Sequence, residues 1–156
     1  MSKQGQKSTS KDEVNVLVVG NNPIELSQVF DSLAKIQGKK VFTEIAFDLK
    51  SIVERLGKFK PTFILIDDNI GTSELKTTVE ALHHIRKTKS IPITILKNSN
   101  YREAINNGVM NYVLKKDLTS ESLYVALKNS LKFKTTQRYL SLAYKKRKGQ
   151  LQRILG

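Results

Sequence analysis

A chain of 156 residues with 39% hydrophobic content is long enough for one domain with a full core, and no apolar run approaches the roughly 20 residues that span a bilayer. The absence of cysteine excludes disulfides, thiolate catalysis and cysteine-based zinc sites, and fits a cytoplasmic location. The net charge of +13 is unevenly spread: residues 1–121 hold 18 Lys+Arg and all 14 Asp+Glu, a net +4, whereas residues 122–156 hold 9 Lys+Arg and no acid.

In chain order, residues 1–13 (MSKQGQKSTSKDE) lack the apolar stretch of a signal peptide and read as a disordered lead-in. NVLVV at 15–19 reads as a buried strand that ends at Gly20-Asn21-Asn22-Pro23. Pro23 suits the first turn of a helix, on which Leu26, Val29, Phe30, Leu33 and Ile36 share one face before Gly38 stops it. VFTEIA at 41–46 alternates like a second strand. Asp48 then caps a short helix that runs through Leu56 to Gly57.

Residues 62–66 (TFILI) form the third expected strand, after Pro61 and directly before Asp67-Asp68. Leu75, Val79, Leu82 and Ile85 mark an amphipathic helix. IPITIL at 91–96 is the fourth strand, with proline at its start. Asn100 and Glu103 open a short helix that ends at Gly108, and residues 109–114 form the fifth strand. Thr119 caps the last regular helix, which carries Leu123, Ala126, Leu127 and Leu131. Beyond it Leu140, Ala143, Tyr144, Leu151, Ile154 and Leu155 keep helical spacing, interrupted at Gly149, so the tail either extends that helix or packs as an arm on a partner.

Five alternating strand–helix units predict an α/β, doubly wound five-stranded parallel sheet covered on both faces. The expected boundaries are a lead at 1–13, a domain at 14–133 and a basic helical tail at 134–156. Ligands of such sheets sit beyond the carboxyl ends of the strands. That gathers Gly20-Asn21-Asn22, Asp67-Asp68, Lys97-Asn98 and Lys115-Lys116 around one crevice.

PTFILID at 61–67, IPITIL at 91–96 and GVMNYVLK at 108–115 stand in the order and spacing of three family segments. Over residues 14–133 the chain resembles the response-regulator receiver domain of two-component signalling, whose fold is flavodoxin-like. The resemblance implies a phosphoacceptor at Asp67, a phosphate-contacting lysine at Lys115 and a switch aromatic at Tyr112. It implies a signalling protein rather than an enzyme, with a histidine kinase or another signalling protein as its partner. Three positions depart from the pattern. The acidic pair that holds a divalent metal would fall at Gly20 and Asn21, where there is no carboxylate. The hydroxyl residue after the fourth strand is Lys97. The proline after the site lysine is Lys116.

These departures weaken magnesium binding. No cofactor is expected beyond it, and the remaining neutral or single ligands are Asn21, Asn22 and Asp67. With Lys97 and Lys115 beside Asp67 the pocket is near neutral without metal, and Lys97 is expected to pair with Asp67. Two readings follow. In one, the chain acts through protein–protein contacts without phosphorylation. In the other, Asp67 accepts phosphate, and Lys115 and Lys97 neutralise its charge. A further alternative is a scaffold or nucleic-acid-binding protein that uses the basic tail, and a homodimer could form through the last strand and helix or through the tail. No membrane partner is expected. His83 and His84 are adjacent, so they point about 100° apart and do not form an i, i+4 metal pair.

Overall fold

The computed structural model describes residues 12–98 and 111–155. Its elements are β1 (Glu13–Val19), α1 (Pro23–Ala34), β2 (Lys40–Ala46), α2 (Leu49–Leu56), β3 (Phe63–Asp67), α3 (Thr72–His84), β4 (Ile93–Lys97), β5 (Asn111–Leu114) and α4 (Ser120–Leu155). All four strand pairings are parallel, in the order β2-β1-β3-β4-β5. The expected doubly wound α/β sheet is therefore present. The expected helix at 100–108 and the start of the fifth strand at 109–110 lie outside the described residues.

β3 sits at the centre of the sheet, and every one of its five residues is buried. Period-2 alternation divides its side chains between two cores. Phe63 and Leu65 join Val16, Val18, Leu96 and Val113 beneath α1 and α4, where they meet Leu26, Leu33, Leu123 and Leu127. Ile64 and Ile66 join Leu17, Val19, Ile93 and Ile95 beneath α2 and α3, where they meet Ile52, Leu75, Val79 and Leu82. A strand buried on both faces explains the unbroken apolar run, since an edge strand would alternate with polar residues.

Local chemistry fixes the helix starts. Asn22 Oδ1 accepts from the backbone N–H groups of Ile24 at 3.1 Å and Glu25 at 3.3 Å, and Pro23 follows at the first helical position. Asn22→Ala should cost about 1 kcal/mol, read as a lower urea midpoint with an unchanged m-value. Asp48 and Ser51 cap α2 reciprocally. Thr119 Oγ1 accepts from Ser122 N–H at 3.0 Å, and Ser122 Oγ accepts from Thr119 N–H at 2.9 Å. Gly38 has φ +75° in the turn before β2, a conformation open to glycine without a Cβ penalty.

The tail is not separated from the last core helix. α4 is one helix of 36 residues, about 54 Å long, and it passes through Gly149 without a break. A single interior glycine costs about 1 kcal/mol relative to alanine, too little to end a helix that already has many turns. Its first turns cover β4 and β5, and the rest projects past the amino ends of the strands.

Candidate functional site

The carboxyl ends of β1, β3, β4 and β5 open on one crevice, next to the switch in strand order between β1 and β3. Asp67 is the last residue of β3 and is 0% exposed. Lys115 begins the 3-10 turn that follows β5. Its Nζ lies 2.5 Å from Asp67 Oδ1, 3.1 Å from Glu25 Oε2 and 3.5 Å from Asp68 Oδ1. One ammonium is thus the shared focus of three carboxylates.

The surrounding amides lock this arrangement. Asn69 N–H donates to Asp67 Oδ1 at 2.8 Å, and Asn69 Nδ2 donates to Glu25 Oε2. Asn98 N–H donates to Asp68 Oδ2 at 3.0 Å, and Asn98 Nδ2 donates to Asn69 Oδ1 at 2.8 Å. The loops after β3 and β4 are therefore tied together and to the first turn of α1. Asp67 Oδ2 is buried and accepts no hydrogen bond among the described residues. A buried carboxylate in this state depends on its charged partner, because unpaired burial is costly.

Burial works against the charge on Lys115. Hydrogen bonds to Asp67 and Glu25, then the charges of Asp67 and Asp68, outweigh it and raise its pKa above the ordinary 10.5. A raised folded-state pKa means that this stabilisation is fully present below the unfolded value and is lost only as pH rises through the folded one. The Lys115 ammonium therefore stays charged throughout the neutral range.

Sequence expectations fare differently at this site. Asp67 and Lys115 are brought together. Lys97 is not Asp67's partner: its Nζ stands 4.9 Å from the centroid of the Tyr112 ring, a cation–π distance. Lys97 is the last residue of β4 and shares the face of Ile95, which is in register with Tyr112 on β5, whereas Asp67 is in register with Leu96 on the other face. Tyr112 is 48% exposed on β5. The pocket is also not near neutral. Glu25 was absent from the sequence account, and with Asp67, Asp68 and Lys115 it leaves a formal charge of −2. The available signal was Asn22-x-x-Glu25, a capping-box spacing, which would have assigned Glu25 to the helix start rather than to the crevice. Asp68 also does more than interrupt an apolar position, because it binds both Lys115 and the Asn98 amide.

The described residues do not fit the divalent ion of the receiver pattern. No group of three or more His, Asp or Glu side chains is disposed to hold a metal among the described residues. Asn22 Oδ1 is committed to the α1 cap, and Asn21 is exposed. At Gly20 an added Cβ would stand 3.2 Å from Asp67 Cβ and 2.9 Å from Leu26 Cδ2. The backbone there packs too closely for a carboxylate side chain to be added without movement.

No family model matches the chain, and no curated protein matches it. Solved structures do match. A protein described as a response regulator from Chloroflexus aurantiacus shares 18% identity, covers 76% of this chain and 98% of its own, and has a TM-score of 0.65. The receiver domain of the sensor histidine kinase PA1611 from Pseudomonas aeruginosa, solved with magnesium in its active-site cleft, shares 15% identity, with 76% and 98% coverage and a TM-score of 0.63. The chemotaxis response regulator CheY4 of Vibrio cholerae shares 22% identity, with 76% and 99% coverage and a TM-score of 0.59. The chain has the CheY-like receiver fold. No helix among the described residues is long and apolar enough to cross a membrane.

Proposed function

We propose that this chain is an atypical receiver module of two-component or phosphorelay signalling that acts by protein–protein contact without phosphorylation. The observation that carries this reading is the Lys115 ammonium seated among Asp67, Glu25 and Asp68. In a phosphorylatable receiver, a transferred phosphoryl group needs cations to meet its developing charge and space beside the acceptor oxygen. Here Asp67 already holds the Lys115 ammonium at contact distance, and Glu25 adds a negative charge that repels an incoming phosphate.

The contact surface is the edge formed by β5 and α4. Tyr112 and Val125 are exposed there at 48% and 54%, and Lys97 lies over the Tyr112 ring. A signalling protein such as a histidine kinase is the partner class, and the chain performs no catalysis of its own. The cytoplasm is the compartment in which such a partner is met.

Incubation with acetyl phosphate followed by intact-mass measurement tests the reading. The expected result is no phosphoryl adduct on the wild-type chain. A wild-type adduct that Asp67→Asn abolishes would establish the opposite mechanism, with Asp67 as phosphoacceptor and Lys115 as the neutralising cation. The unpartnered Asp67 Oδ2 is the observation that favours that second mechanism.

A further inference from the structure

The core-facing line of α4 runs Leu123, Leu127, Ser130, all buried, at spacings of four and three. The same line continues along the helix as Lys134, Arg138, Ser141, Lys145 and Lys148, again three or four residues apart. The inner stripe of the helix thus changes from apolar to cationic where it leaves the sheet. At that point it faces the body. A groove of about 720 Å³ is lined by Lys134, Arg138 and Ser141 from α4, by His83 from the last turn of α3 and by Lys89 and Ser90 from the segment between α3 and β4. This end of the molecule, at the amino ends of the strands, is opposite the Asp67 crevice.

We propose that this groove and the stripe running on from it bind the phosphate backbone of nucleic acid, independently of base sequence. The charge complementarity is one-sided, since residues 122–156 contain nine Lys+Arg and no acid. The lining side chains are donors: ammonium and guanidinium groups interleaved with hydroxyls, the set that satisfies phosphate oxygens. An acidic peptide would need apolar anchor pockets as well, and Leu131 is the groove's one apolar residue. From Lys134 to Lys148 the helix rises about 21 Å, close to the rise of roughly six nucleotides of one strand. Burial in the groove lowers the pKa of Lys134, so a phosphate would restore to its ammonium the partner that desolvation makes it need. This inference does not depend on how the Asp67 crevice works.

Anisotropy of a fluorescein-labelled 20-mer, as duplex and as single strand, tests it between 50 and 200 mM salt. The log–log salt slope should be about −4 for the wild-type chain with duplex. Lys134→Gln/Arg138→Gln should reduce that slope by about 2 and weaken binding at least tenfold at 50 mM salt. Lys89→Glu, which leaves α4 untouched, should weaken it in the same direction. Lys50→Gln/Lys76→Gln, on α2 and α3, changes the net charge equally and should have little effect. No binding at 50 mM salt, an equal loss in the Lys50/Lys76 variant, or equal affinity for poly-glutamate of matching charge would each overturn the proposal.

Discussion

Lys115→Met should destabilise the fold by about 3–5 kcal/mol, because it leaves Asp67 charged, buried and without its counter-ion. Asp67 is wholly inaccessible to solvent and the Lys115 side chain is only 13% exposed, so water cannot take over the ammonium's place without rearrangement. The loss should be read by urea denaturation at neutral pH. Lys115→Met/Asp67→Asn should recover most of the stability, because the wholly buried charge is removed with its partner and the remaining carboxylates, Glu25 and Asp68, are partly exposed. Glu25→Gln alone should cost far less, since Glu25 is partly exposed and the amide keeps an acceptor oxygen. If Lys115→Met and the double variant are equally destabilised, the lysine acts through packing of its stem rather than through charge.

The second large effect concerns β3. Ile64→Ala and Leu65→Ala should each cost about 2–5 kcal/mol, even though the two side chains point to opposite faces of the sheet. An amphipathic strand would show one large and one small effect. Both residues are 0% exposed, one in each core, so the two losses should be comparable. A near-neutral result at either position would mean that one face of the sheet lacks its helical cover.

The same double burial explains what could be read in the chain before any coordinates. Near-continuous apolar strands such as 63–66, separated by helices with three- and four-residue spacing, leave little choice but a parallel sheet between two helical layers. Pro23, Asp48 and Thr119 announce their helices because first-turn and capping preferences are local chemistry. Boundaries shift by one or two residues: β3 includes Asp67, and β4 begins at Ile93 rather than at residue 91.

The site was legible only in part. The pairing of Asp67 with Lys115 follows from the topology, which brings the ends of β3 and β5 to one crevice. The position of Lys97 was not legible, because a long side chain at a strand end has several partners within reach, and the choice of Tyr112 depends on strand register. Glu25 was missed because its spacing from Asn22 has a sufficient local explanation. Its side chain instead reaches Lys115, ninety residues further along the chain. That one carboxylate changes the formal charge of the pocket and completes the set held by the Lys115 ammonium.

The helical tail shows the reverse case. Gly149 suggested an interruption, but α4 continues through it. The change of its inner stripe from apolar to cationic at Lys134 was present in the residue spacing. That Lys89 and Ser90 stand opposite this stripe depends on the tertiary fold and is not written in the spacing.

Amide NMR of the chain during titration with magnesium and then beryllofluoride tests the central claim, that Lys115 serves as the built-in cation of the Asp67 pocket, most directly. The account predicts no saturable shifts at Asp67, Asn69, Asn98 or Lys115 with sub-millimolar metal, with or without the phosphate mimic. Saturable shifts confined to those residues would contradict it and show a pocket that opens to metal and phosphoryl group.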